Sequence, residues 1–280
     1  MTTIAVTGAT GQLGRLAIAA LKTRAPEATL VALARKPAAD LGVPVRAFDY
    51  TAADPAALAG VDVLVLISSS SFDDRAGQHR AVIDAARAAG VGRIVYTSIL
   101  KGAASPMGIA ADHVVTEAWL RASGVPFTIL RNGWYTENYT GSLGGALQAG
   151  AMIGSAGTGQ ISSAARVDYA EAIAVVAAGE GHAGLTYELA GDEGHTMAEM
   201  AAEVSKVTGR TIPYNRLPEA VYAGILEGFG LPAGFAALLA DADAKAAEGA
   251  LQDDSRALSR LIGRPTTPMA ATVAAALAAL

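Results

Sequence analysis

The chain has 280 residues, 52% of them hydrophobic and 17% charged, enough to bury one large domain or one domain with a smaller lobe. It contains no cysteine, which excludes a disulfide framework, a thiolate metal site and a cysteine nucleophile. The net charge of −5 argues against a nucleic-acid partner; with no apolar run near the ~18 residues of a membrane span and no secretory pattern at TTIAVTG, the expected compartment is the cytoplasm.

In chain order, TIAVTG (3–8) reads as a short buried strand leading into a helix from about Gly11 to Thr23. TLVALAR (29–35) and PVRAFDY (44–50) give a second and a third strand. VDVLVLISSS (61–70) is an apolar run that stops at serines, a fourth strand ending in a polar loop. Asp73-Asp74 suit the cap of a helix near Arg75–Ala89. GRIVYTS (92–98), a helix near Ala111–Ser123 and FTILRNGWY (127–135) follow. Strands of nearly continuous Val, Ile and Leu alternating with helices predict a parallel sheet covered on both faces. The expected fold class is therefore α/β, a Rossmann-type doubly wound parallel sheet with its ligand site at the carboxyl ends of the strands.

Further on, GTGQIS (157–162) is a Gly-rich loop, ARVDYAEAIAVVAAG (165–179) a helix and LTYELAG (185–191) one more strand. TMAEMAAEVSKVTG (196–209) has a capping box at Thr196 and Glu199 and a stop at Gly209. Short helices fill the rest, and the acidic stretch 241–254 reads as a solvated face. Residues 1–133 plus 160–190 are expected to form the nucleotide domain, and 134–159 plus 191–280 a smaller C-terminal substrate lobe.

Residues 8–14, GATGQLG, stand between a strand and a helix, the context in which spaced glycines acquire meaning. Gly8 permits the turn, Gly11 lets backbone approach a pyrophosphate, and Gly14 lets helix and strand pack closely. The helix N-terminus adds unpaired N–H groups and a partial positive charge. An NAD-specific domain would carry Asp or Glu at the end of the second strand to bind the ribose 2′-OH. This strand ends ALARKP, so Arg35 and Lys36 stand there instead and suit a 2′-phosphate. The cofactor expected is NADPH.

The glycine loop and the serine-ended fourth strand resemble the short-chain dehydrogenase/reductase superfamily, whose better-known members use Tyr and Lys four apart on the helix after the fifth strand. Here that helix reads ADHVVTEAWL, with His113 and Glu117 at the spacing, and no YxxxK occurs anywhere. VTGATGQLG, QHRAVIDAARAAGV, ADHVVTE and above all LRNGWYTENY (130–139) resemble the atypical, NmrA-like branch, and within it the type 2 NAD(P)H:quinone oxidoreductases and triphenylmethane reductases. The resemblance implies that Gly8, Ala9, Thr10, Gly11, Gln12 and Leu13 hold the pyrophosphate, with Arg35 on the 2′-phosphate. Ser68, Ser69 and Ser70 would lie beside the cofactor. Asn132, Gly133, Trp134, Tyr135, Thr136 and Glu137 would line its nicotinamide side, with Ala164 and Arg166 closing from the second Gly-rich segment.

Reducing an ordinary ketone creates a poorly stabilised alkoxide, and a positioned acid contributes roughly 10²–10⁴-fold, or on the order of 3–5 kcal/mol, there. Hydride addition to a quinone instead gives a delocalised phenolate whose parent acid has a pKa near ~10. Without the tyrosine, the expected reaction is hydride transfer to a quinone. Reduction of other conjugated acceptors (triphenylmethane dyes, activated carbonyls) and a non-catalytic NADP(H)-binding redox sensor are the alternatives. The candidates for completing the reaction are Asn138 and Tyr135 as hydrogen-bond donors and His113 as an acid. Glu117, one helical turn on, would raise the His113 pKa if the two paired. Tyr139 and Tyr169 are further hydroxyls. His79, His182 and His195 show no metal-ligand spacing, so no metal is expected. The partners expected are a small-molecule quinone or related acceptor and a second copy of the chain in a homodimer, with no nucleic acid.

Overall fold

The first strand, β1 (Thr3–Val6), is buried along most of its length and runs through a glycine turn into α1 (Gln12–Arg24). This is a computed structural model, and it describes residues 1–36, 40–71 and 74–280, so Asp73 of the expected helix cap lies outside the described residues. Asp74 does cap, its carboxylate accepting from the Gly77 amide. After α1 come β2 (Thr29–Ala34), β3 (Val45–Ala47), β4 (Val63–Leu66), α2 (Arg75–Ala88), β5 (Arg93–Ile99), α3 (Ala110–Ala122) and β6 (Phe127–Asn132). The chain continues through α4 (Glu137–Thr140), α5 (Leu143–Ala149) and β7 (Met152–Gly154), then through α6 (Arg166–Ala178) and β8 (Thr186–Leu189). It ends with α7 (Met197–Thr208), β9 (Tyr214–Arg216), α8 (Glu219–Gly228), α9 (Ala233–Ala246), α10 (Ala257–Ile262) and α11 (Met269–Ala278).

Two compact units form. The first holds Met1–Gly102, Asp112–Asn132 and Arg166–Leu189, and the second Ala103–Ala111, Gly133–Ala165 and Ala190–Leu280. Residues 160–165, grouped on sequence with the first half, pack in the second unit, as do residues 103–111.

The first unit is built on a sheet of order β3-β2-β1-β4-β5-β6-β8, parallel throughout. The α/β doubly wound fold is thus present, and its order reverses between β1 and β4, where such sheets bind ligands. Both faces are apolar because successive strand residues point to opposite sides. Leu33, Leu64, Leu66, Ile94 and Tyr96 meet Val82, Ile83 and Ala86 of α2 and Leu120 of α3. Ile4, Val6, Val63, Val65 and Val95 are also buried, on the other side, where α6 packs against α1 and against β4, β5 and β6.

In the second unit β7 and β9 pair in parallel as a small two-stranded sheet. Three-residue strands carry too little periodicity to be read from sequence. The capping box of α7 forms as expected, with Glu199 N donating to Thr196 Oγ1 at 3.1 Å and Thr196 N to Glu199 Oε2 at 2.7 Å. The expectation of a solvated acidic face over 241–254 is corrected. Asp243 is 5% exposed and accepts from the Ser155 and Ala156 amides, while Asp241 accepts from the Gly108 amide at 2.7 Å. Both carboxylates close loop ends whose N–H groups lack a ladder partner. Burial is what dominates at Asp243, pushing its pKa up. Among the described residues no helix is long and apolar enough to cross a membrane.

Candidate functional site

The glycine turn follows from local chemistry. Gly8 has φ +58°, a region that side chains disfavour, and its carbonyl accepts from the Gly11 amide at 2.9 Å. Gly11 then caps α1 without a side-chain hydrogen bond, and no acidic residue stands in the first turn. The first N–H groups of a thirteen-residue helix are therefore left open, as an anion site requires. Ala9 and Leu13 are buried and anchor the loop, while Thr10, Gly11 and Gln12 are exposed. Beneath it the Tyr50 hydroxyl reaches Thr7 Oγ1 at 2.6 Å and the Ile67 carbonyl at 2.7 Å, spanning the ends of β1 and β4.

Arg35 is exposed just past β2. A carboxylate from elsewhere in the chain, that of Asp49, is near enough to feel its charge. Thr51 backbone and side-chain hydrogen bonds chiefly hold Asp49 below the usual carboxylate range, and the charge of Arg35 adds to them.

Past Leu66 the ladder of β4 is replaced by side chains. The Ile67 amide donates to Thr7 Oγ1 at 3.0 Å, the Ser68 amide to Thr97 Oγ1 at 2.9 Å and the Ser69 amide to His79 Nε2 at 2.9 Å. The Ser69 hydroxyl donates to Gln78 Oε1 at 2.5 Å and its carbonyl accepts from Arg75 Nε at 2.9 Å. Of the three serines, Ser69 is thus committed to α2. Ser68 is half-buried and Ser70 exposed.

The positions that hold Ser, Tyr and Lys in the better-known dehydrogenases are all occupied internally. Ser98 Oγ donates to Glu117 Oε1 at 2.7 Å. The same carboxylate takes Arg131 Nε at 2.8 Å, Arg131 Nη2 at 2.7 Å and Arg121 Nη2 at 2.9 Å, while Arg131 Nη1 reaches Glu188 Oε1 at 2.7 Å. Burial pulls the Glu117 pKa up, but these bonds outweigh it and hold the carboxyl below its usual value.

The expected His113–Glu117 pair is therefore corrected. His113, 6% exposed, is hydrogen-bonded through its Nδ1 to Tyr96 Oη, 2.8 Å away. Burial pushes its pKa down to about 3, with Arg75 adding to that, and Glu117 opposes it only weakly. Held neutral in this way, the ring is not an imidazolium.

His79 is wholly buried and pushed down to about 3 by burial, with His113 and Arg75 adding to it. Both imidazoles stay neutral in the folded chain but bind protons below about pH 6.5 when it unfolds. Stability is therefore expected to fall as the pH drops from about 6.5 toward 3, by about 1.4 kcal/mol per pH unit for each histidine. Denaturant unfolding at pH 7 and pH 5 checks this, and an unchanged unfolding free energy would refute it.

The second unit brings Trp134, Tyr135, Thr136 and Ala164 together. Tyr135 and Ala164 form a parallel bridge, flanked by Ala164 N to the Trp134 carbonyl at 3.1 Å and Thr136 N to the Ala164 carbonyl at 3.0 Å. Thr136 Oγ1 lies 2.8 Å from Ser163 Oγ, which lies 2.8 Å from His195 Nε2, a buried chain that pins the segment. Trp134 is 8% exposed, Gly133 is buried, Tyr135 and Glu137 are half-buried and Asn138 is exposed. In the first unit Asn132 is buried at the end of β6 and Arg166 is half-buried at the start of α6.

Tyr139 donates to Asp243 at 3.4 Å, and burial first, then that carboxylate, raises its pKa well above the usual value. Tyr169 is wholly buried. Tyr139 is thereby a weaker acid than a free phenol. Sequence reading missed Arg75, Gln78, His79 and Tyr50 as supports. The signal was a polar QHR at the start of an otherwise apolar helix face, where buried polar groups need partners. Among the described residues no group of three or more His, Asp or Glu is placed to hold a metal ion.

A family described as NAD(P)H-binding matches residues 8–178. The chain is 50% identical over 277 residues to quinone oxidoreductase 2 of Escherichia coli, covering 96% of this chain and 97% of that one. The crystal structure of the E. coli NADPH-dependent quinone oxidoreductase in complex with NADPH superposes with a TM-score of 0.93 at 49% identity, covering 98% and 99% of the two chains. Triphenylmethane reductase of Citrobacter sp., complexed with NADP(H), gives 0.89 at 35% identity over 98% and 99%. The chain therefore belongs to the NAD(P)H-binding family, in the branch that contains quinone oxidoreductase 2 and triphenylmethane reductase.

Proposed function

We propose that the chain is a cytoplasmic NADPH-dependent reductase that passes hydride to a quinone-type acceptor without a Tyr–Lys pair. Likeness to a quinone oxidoreductase along nearly the whole of both chains carries this reading. The residues present fit the cofactor, since the open N-terminus of α1 suits a pyrophosphate and the exposed Arg35 suits a 2′-phosphate. NADPH supplies the electron pair. Residues 8–13 and Arg35 hold its phosphates, with Ser68 and Ser70 beside it. Residues 132–137, Ala164 and Arg166 line the nicotinamide side and exclude water, and Tyr135 and Asn138 donate hydrogen bonds to an acceptor oxygen.

The reaction is quinone + NADPH + H⁺ giving hydroquinone + NADP⁺. Its proton comes from water, because a phenolate with a conjugate acid near pKa ~10 takes one up unaided. The occupied Ser98, His113 and Glu117 positions support this division of labour, in which binding and orientation are the protein's contribution.

Steady NADPH oxidation with benzoquinone or a naphthoquinone is expected from purified protein, and no turnover across a quinone panel would end the proposal. An Arg35→Ala variant is expected to weaken NADPH by about 30-fold, roughly 2 kcal/mol for a charge-assisted bond, and to leave NADH nearly unchanged. Equal KM values for NADPH in variant and wild type would remove Arg35 from the site. A second reading, reduction of triphenylmethane dyes, draws on the likeness to triphenylmethane reductase, and kcat/KM for dyes against quinones separates the two.

A further inference from the structure

One turn of α2 grips Ser69 at every polar point of the residue: amide to His79, carbonyl to Arg75, hydroxyl to Gln78. Three hydrogen bonds on one residue fix the plane of its peptide groups, and with it the direction in which the neighbouring residues project. The serine is also committed to its own loop, its Oγ accepting from the Ser71 amide at 3.1 Å.

The tautomer follows from the same bonds. His79 Nε2 accepts from the Ser69 amide, so in the neutral ring the proton sits on Nδ1. That N–H points at Thr116 Oγ1, 3.0 Å away, and at Tyr96 Oη, 3.3 Å away. Thr116 in turn donates to the Asp112 carbonyl at 2.7 Å, so its oxygen is an acceptor toward His79. Tyr96 Oη also lies 2.8 Å from His113 Nδ1 and hydrogen-bonds Thr116, so the buried chain continues from His79 through Tyr96 to α3. A single backbone amide beyond the end of β4 thereby sets the tautomer of His79, the first member of that chain.

We infer that His79 is a positioning residue for the dinucleotide: by accepting from the Ser69 amide it holds the loop after β4 so that Ser68 and Ser70 face the ligand. The inference rests on the reading that this loop borders NADPH. His79 is wholly buried and reaches the loop after β4 through its bond from the Ser69 amide. A side chain with an acceptor at the same reach should therefore replace it, and an apolar one should not.

The experiment compares His79→Leu with His79→Gln in NADPH titrations of the full chain. Leucine is expected to weaken NADPH about tenfold, the value of one well-placed hydrogen bond, and glutamine to restore affinity to within about threefold of wild type. A leucine variant that binds NADPH like wild type, or a glutamine variant no better than leucine, overturns the assignment. Should the leucine variant not fold, Gln78→Ala takes its place: loss of the Ser69 hydroxyl acceptor is expected to weaken NADPH about threefold, and no change overturns the clamp. Side-chain ¹⁵N spectra of the wild-type protein give an independent readout, with His79 protonated on Nδ1. The opposite tautomer at His79 is incompatible with the inference. Quinone turnover plays no part in these readouts, so a protein that binds NADPH and reduces no quinone would sink the proposed reaction and leave the clamp standing.

Discussion

A Gly14→Ala variant is expected to lose both stability and cofactor turnover, whereas Gly11→Ala loses the cofactor alone. A Cβ on Gly14 would lie 2.3 Å from the Gly8 carbonyl oxygen and 2.8 Å from the Ala9 Cα. Both obstacles are backbone, so neither can rotate away, and α1 must move off the turn. Overpacking of this kind costs about 1–3 kcal/mol. Moving the helix by about 1 Å also misplaces its open N–H groups, and errors of that size cost about 100-fold in rate.

At Gly11 the nearest atom to an added Cβ is the Gly8 oxygen at 3.2 Å, and the residue has φ −73°, which any residue adopts. The fold should accept that methyl with a Tm change of only a few degrees, while NADPH affinity falls about 30-fold because the methyl fills the pyrophosphate's space. Thermal unfolding and NADPH titration of the two variants check the contrast. A Gly14→Ala protein with the melting temperature and affinity of wild type would contradict it.

The second large effect is expected at Arg131. Replacing it with alanine strips Glu117, whose side chain is 3% exposed, of its bidentate partner and leaves Glu188 with one partner fewer. Glu117 keeps Arg121 and Ser98, so the loss stays below the about 3–5 kcal/mol of a wholly uncompensated buried charge; about 2 kcal/mol is expected, and the melting temperature should drop by about 5 °C. Adding Glu117→Gln to Arg131→Ala should recover part of the loss, since the stranded charge is then gone. Calorimetry on the single and double variants decides, and a double variant less stable than the sum of the singles would show that no stranded charge was involved. The same network explains why a Tyr–Lys pair cannot be grafted here. A lysine at position 117 would face the guanidiniums of Arg121 and Arg131.

What could be read in advance follows the range of the interactions involved. The strands of the sheet are apolar on both faces, and the glycine turn is a local feature, so each was visible in a short window of sequence. The capping box of α7 was visible for the same reason. His113 and Glu117 stood at a suggestive spacing, but their partners, Tyr96 and Arg131, come from β5 and β6, and only the sheet brings them near. Asp243 read as solvated because its partners lie 88 and 87 positions away in the chain. His79 looked isolated because its role is to accept a backbone amide, and a backbone amide has no sequence signature. Polar residues in apolar surroundings were the signal available, and they marked where partners had to exist without naming them.

The division of the first unit into separate stretches bears on its synthesis. The chain leaves this unit after Asn132 and returns at Arg166, and only the returning stretch supplies α6 to cover α1 and β8 to pair with β6. While a ribosome has made no more than the first 132 residues, one sheet edge has no neighbour and one apolar helix face is bare. The nascent nucleotide half must wait in that state until Leu189 has emerged, which makes translation through the intervening stretch the interval in which this protein is most open to aggregation or chaperone capture.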